Sequence, residues 1–171
     1  MRPIAQLPQD RRGAALTEFA LILPVMLALY LGMTELVQAY QAQKKATGVA
    51  ATIADLTTQD TAVTDASLEG IFTAGEMVMQ PFPTAALRQR LAHLSADNDG
   101  VVTVDWTASR NWSGGGEPTV PPGMLGPNES MVVASIAYQF DSPIDWFLPD
   151  GANITQTAYY RPRMSPKVEK K

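Results

Sequence analysis

The chain has no cysteine, so disulfide bridges, thiolate metal sites and cysteine nucleophiles are all excluded, although the compartment stays open. Histidine is almost as scarce. With His93 alone, neither a histidine metal cluster nor a Ser/His/Asp site with a spare base can be assembled, and no catalytic constellation emerges elsewhere. Positive charge is short as well: 13 Lys and Arg stand against 17 Asp and Glu, for a net charge of −4. The basic residues are scattered in pairs, which argues against a nucleic-acid partner, since such proteins gather Lys and Arg on one face. Missing too is a convincing A-x-A processing site after the first apolar stretch, which a cleaved secretory signal would need.

Two glycine-bearing stretches invite ligand readings and fail them. Counting Gly100 as the sixth position of an EF-hand loop makes Ser95 the first ligand and puts Trp106 where a bidentate glutamate is required, so Asp97-Asn98-Asp99-Gly100 reads as a turn into a strand. Gly114-Gly115-Gly116 is followed by Glu117-Pro118, with neither the Lys-Ser/Thr ending of a phosphate loop nor a helix start. No metal and no cofactor is expected.

What the sequence does have is an apolar run near its start. Arg11-Arg12-Gly13 leads directly into Ala14-Ala15-Leu16-Thr17-Glu18-Phe19 and onward to Met33. One acid, Glu18, sits near the entrance, and leaving it unpaired in hydrocarbon would cost roughly 2.5 to 3.5 kcal/mol. Something must partner Glu18, or it lies in the headgroup region of a plain signal anchor formed by residues 1–38.

A short basic leader, a glycine, a glutamate five positions beyond it and a hydrophobic helix together resemble the class III signal of prepilins. Glu18-Phe19 with Pro24 six positions on from Glu18 is similar to the TadE family of minor pseudopilins from tight-adherence (Tad/Flp) type IV pilus systems. The resemblance implies that prepilin peptidase cuts between Gly13 and Ala14, leaving leader charges Arg11 and Arg12 behind. It further implies that Glu18, beside Phe19, pairs with an N-terminal ammonium, its own or a neighbour's, so that each neutralises the other. The implied partners are that peptidase, other pilin and pseudopilin subunits, the Tad secretion apparatus and the bacterial inner membrane, with adherence and biofilm formation as the outcome. The three Asn-x-Ser/Thr triplets at Asn111, Asn128 and Asn153 are coincidental in a bacterium.

Arg2, Arg11 and Arg12 before the apolar run, opposed only by Asp10, predict a cytoplasmic N-terminus and a periplasmic C-terminal domain, with the extracellular pilus as a further location. The stretch from Ala14 to Val37 would span about 36 Å at roughly 1.5 Å per residue, enough for a ~30 Å hydrocarbon core. The division expected is a leader at 1–13, a transmembrane helix at 14–37, an exported α+β domain at 38–161 and a flexible tail at 162–171. That domain is long enough for a single core.

The first helix should continue through about Leu56, because no proline intervenes and Val49, Ile53 and Leu56 share a face; Pro24 could kink it. A second helix starts near Asp65 or Ala66, buries Leu68, Ile71, Phe72 and Met79, and stops before Pro81. Leu87, Leu91 and Leu94 predict a third helix, capped by Thr84 and running through Ser95, with His93 on its surface or boundary. Strands follow at Val101 to Trp106, Met131 to Phe140 and Asn153 to Tyr160, giving an antiparallel sheet of about three strands in a pilin-like α+β fold.

The Gly/Pro-rich stretch from Ser109 to Ser130 is a long loop whose Trp112 and Met124 either contact another subunit or cover the domain's own core. Tyr138-Gln139-Phe140, Ser142-Pro143, Trp146-Phe147 and Thr157-Ala158-Tyr159-Tyr160-Arg161 are similar to the ends of TadE-like and TadG-like proteins, without the large insertion usual in the latter. The competing reading is an unprocessed, membrane-anchored periplasmic binding or interaction domain.

Overall fold

The computed structural model describes residues 12–114 and 116–171. A single helix, α1 (Arg12–Thr58), occupies more than a quarter of the chain and continues unbroken across Pro24. Its two halves meet different surroundings. The apolar first half carries exposed side chains on every side, whereas the second half buries a stripe of Ala42, Ala46, Val49, Ala50, Ile53, Ala54 and Thr57. These positions recur every three or four residues on one helical face, and the alanines let neighbouring elements approach closely.

Two strand residues, β1 (Ala62–Val63), separate α1 from α2 (Asp65–Met79). A capping box starts α2: the Ser67 N–H donates to Thr64 Oγ1 at 3.2 Å and the Thr64 N–H to Ser67 Oγ at 2.8 Å. Leu68, Ile71, Phe72 and Met79 then face the core as the periodicity predicts. Gly75 lies at the tightest point, where an added Cβ would stand 2.3 Å from Gln89 Oε1 and 3.0 Å from Ile53. Gln89 is itself buried, and its amide donates to the Phe72 carbonyl at 3.1 Å.

The main sheet contains β2 (Leu87–Ala96), β3 (Val102–Arg110), β4 (Ser130–Phe140) and β5 (Ala152–Tyr160), in the antiparallel order β3-β2-β4-β5. Residues 87–96 are therefore a strand and not the expected third helix. The physical reason is their place between β3 and β4, with apolar side chains needed on both faces. Leu87 and Leu91 point to the helices, together with Val132, Ala134, Ile136 and Tyr138 of β4. Leu94 and Ala92 point the other way, against Val133. Apolar residues at 87, 91 and 94 satisfy either a helix or a strand buried on two sides.

The second face of the sheet is covered by the long loop. Val120 packs over Ala92, Leu94 and Val133, and Leu125 packs on Ala96 and Met131. Trp112 lies under the Arg90 guanidinium at 4.4 Å from the ring centroid, while Met124 remains partly exposed. Asn111 and Asn128 take left-handed backbone conformations, with φ of 57° and 61°, a turn role that asparagine fills better than most residues.

Residues 162–171 also differ from the expected free end. They return to the domain as β6 (Glu169–Lys170), paired in parallel with β1, and Val168 is buried. The Lys171 N–H donates to the Val63 carbonyl at 2.9 Å, and Lys170 pairs with Asp65 at 3.0 Å. One apolar side chain and a backbone ladder hold what the charged composition disguises as a solvated tail.

Candidate functional site

The N-terminal half of α1 is the first candidate. Gly13 and Ala14 lie in its opening turn, where the Thr17 hydroxyl donates back to the Ala14 carbonyl at 2.8 Å; Arg11 falls outside the described residues. An added Cβ at Gly13 would meet nothing within 4 Å. Glu18 stands one turn beyond Ala14 on the same side of the helix, so a charge at the Ala14 nitrogen and the Glu18 carboxylate are within local reach. Glu18 and Phe19 are exposed, and Glu18 makes none of the ion pairs found among the described residues. Leu16, Leu21, Ile22, Val25, Met26, Leu29 and Tyr30 are exposed around the same cylinder. Helices apolar all round are covered by lipid or by other helices.

The helix meets its domain at Gly32 and Glu35, which the sequence did not single out. Phe147 lies directly on Gly32, where an added Cβ would come within 2.4 Å of its ring. Three residues on, the fully buried Glu35 carboxylate accepts the Phe147 N–H at 3.0 Å and the Leu148 N–H at 3.1 Å, with the Ser142 hydroxyl as a further donor. A buried carboxylate with three donors is a satisfied one. It ties residues 142–148 to the helix inside the stretch expected to be wholly transmembrane.

A third constellation sits at the far edge of the sheet. The β2–β3 ladder pairs His93 with Trp106 and Leu94 with Val104, stepping over Asp105. The bulged Asp105 is thereby aimed back across the strand pair. Its Oδ2 lies 2.8 Å from His93 Nδ1, and its Oδ1 accepts the Ser95 hydroxyl at 2.9 Å. His93 Nε2 accepts the Val168 N–H at 3.2 Å, which assigns the proton of the neutral ring to Nδ1, donating to Asp105. Trp106 stacks on the imidazole and donates to the Val168 carbonyl at 2.7 Å.

His93 is thus a buried strand residue and not a helix-surface one. Burial pushes its imidazole below the ordinary value of 6.5, with the nearby Lys167 acting in the same direction and Asp105 opposing. Ser95 donates to Asp105 and accepts from Lys167 Nζ at 3.0 Å, while the basic nitrogen of His93 is occupied by backbone. Aspartate, histidine and serine are close together, yet the serine and the imidazole do not address each other as a nucleophile and its base must. The cluster closes the C-terminal segment onto the sheet.

Among the described residues, one helix is long and apolar enough to cross a membrane, and none of its most hydropathic window is buried in the domain. Because that same helix runs on into the core, the class defined is a long N-terminal helix, apolar in its first half, continuous with a small α+β domain, an arrangement that fits a single-pass membrane anchor. Residues 13–55 match the family model described as TadE-like protein. The match stops within α1, so the likeness expected for the C-terminal strands lies outside it. No curated protein and no solved structure matches the chain.

Proposed function

We propose that this chain is a non-catalytic minor pseudopilin, a membrane-held precursor cleaved between Gly13 and Ala14 and used in assembling Tad/Flp pili for adherence and biofilm formation. The observation that carries the reading is one continuous helix with two uses. The TadE-like match runs along nearly all of it; its first half exposes apolar side chains on all sides and bears Glu18 at the fifth position counted from Ala14, and its second half is the spine of a folded domain.

In assembly the first half packs against equivalent helices of other pilin and pseudopilin subunits. Glu18 neutralises an N-terminal ammonium and so sets the axial register, because both charges are costly in hydrocarbon unless paired. The domain lies on the periplasmic side, opposite the leader arginines, and meets other subunits or the Tad secretion apparatus.

The test is the mass of the mature chain in cells with and without prepilin peptidase. Mature protein should begin at Ala14 only when the peptidase is present, and Gly13→Arg should block processing by adding bulk and charge at the cut. Mature protein still carrying Met1 or Arg2 in peptidase-positive cells would replace this reading with an unprocessed membrane-anchored interaction domain.

A further inference from the structure

The loop from Asp141 to Asp150 exposes two large aromatic side chains side by side, Trp146 and Phe147, at 56% and 52% of their full surface. Their rings are tilted together with centroids 5.8 Å apart. About half of each side chain stays open to the surroundings, with Phe147 resting on Gly32. The loop is nevertheless firmly placed: Glu35 holds the backbone of Phe147 and Leu148, Ser142 Oγ accepts the N–H groups of Ile144 and Asp145 at 3.3 and 3.4 Å, and Gly151 closes the end by donating to the Leu148 carbonyl at 2.9 Å.

The position of this pair along α1 decides what it meets. From Ala14 to Gly32, on which Phe147 rests, the helix rises about 27 Å at roughly 1.5 Å per residue, close to the ~30 Å of a hydrocarbon core. Tyr30 is exposed half a turn before Gly32. Trp and Tyr gather at such boundaries because their rings are apolar and their N–H or O–H groups want water. We infer that Trp146 and Phe147 form a membrane-interface foot, by which the domain rests on the outer surface of the bilayer that its own helix crosses.

The occupant of this surface is lipid at the acyl–headgroup boundary. The loop's charges are acidic, at Asp141, Asp145 and Asp150, so contact depends on the aromatic rings and gains nothing from anionic headgroups. Resting on the bilayer limits the tilt of the domain, and of the helix continuous with it, relative to the membrane plane, and so fixes how the domain is presented before the subunit leaves the membrane.

The inference rests on the membrane-anchor reading, and the experiment separates the two. Full-length protein is reconstituted into phosphatidylcholine vesicles containing lipids brominated either near the headgroup end or near the tail end of the acyl chain, and tryptophan emission is compared with that of Trp146→Phe. Trp106 on β3 and Trp112 in the loop that follows it supply the background. The headgroup-end bromines should quench wild type and lose that quenchable share in Trp146→Phe, whether or not phosphatidylglycerol is added. Val25→Trp, made in the Trp146→Phe background, should be quenched most by the tail-end bromines. If Val25→Trp is quenched while wild type and Trp146→Phe behave alike, the foot is wrong and the anchor stands. If Val25→Trp is not quenched, the anchor reading itself fails. A Trp146 signal that ignores bromine but changes with protein concentration assigns the surface to a neighbouring subunit and overturns the lipid contact.

Discussion

Glu35 reaches across 112 positions of sequence to take the Phe147 backbone N–H at 3.0 Å, fastening the loop between β4 and β5 to the helix that leads into the domain. Glu35→Gln keeps the size of the side chain but removes its charge and replaces one acceptor by a donor facing a donor. The variant should fold with its 142–148 loop released, read as faster proteolytic cleavage within that loop than in wild type. Equal cleavage rates would mean that the ring of Phe147 on Gly32 holds the loop without help.

Glu18 is expected to behave differently from Glu35, although both are single carboxylates on one helix. Glu18→Ala should insert into the membrane at least as well as wild type and yet lower piliation, since only the assembly contact is lost. Membrane abundance and processing measured beside piliation distinguish lost function from lost protein. Unchanged piliation at equal abundance would leave Glu18 with no assembly role.

Gly75→Leu tests the packing of α2. Its Cβ alone would meet Gln89 Oε1 at 2.3 Å with Val49 and Ile53 just behind, so the helix must lift from the sheet. A loss of about 1–3 kcal/mol is expected from overpacking of this kind, measured by chemical denaturation of the detergent-solubilised protein. Gly70→Leu, where an added Cβ meets nothing within 4 Å, is the matched control on the same helix.

The His93 cluster predicts a pH dependence of fixed sign. The folded state holds the imidazole neutral below its ordinary value of 6.5, so over that window the unfolded chain binds more protons and stability falls as pH falls. Protonation also turns Nε2 into a donor facing the Val168 N–H, so the amides of the C-terminal segment should show smaller protection factors at about pH 5 than at about pH 8, once the pH dependence of intrinsic exchange is divided out. His93→Gln, which does not titrate, should flatten this part of the profile even if it lowers stability throughout. An unchanged slope in that variant would assign the acid sensitivity to other groups.

Much of the fold was legible because most elements carry their own local signals. Thr64, the Leu68–Ile71–Phe72 face and Pro81 bracket α2, and alternating β-branched and aromatic residues mark β3, β4 and β5. Residues 87–96 misled because Leu, Arg, Gln and Ala favour helix locally, and strand formation there depends on neighbours supplied by distant sequence. The docking of Val168 depends on Trp106 and His93, and the burial of Glu35 depends on backbone amides that no side-chain pattern announces. The candidate site divides similarly. Gly13, Ala14, Glu18 and Phe19 are conspicuous in the sequence because two arginines, a glycine and a lone carboxylate interrupt an apolar run, while Gly32, Glu35 and Asp105 act within the fold and become visible only with it.

The parallel pairing of β1 with β6 sets an order for folding. The strand at residues 62–63 finds its partner in residues 169–170, and the N–H of Lys171 donates to the carbonyl of Val63. The indole of Trp106 and the imidazole of His93 are both capped by the backbone of Val168. A nascent domain therefore keeps this edge open until residues 168–171 have emerged and docked, so the β1 edge closes after the main sheet has its strands.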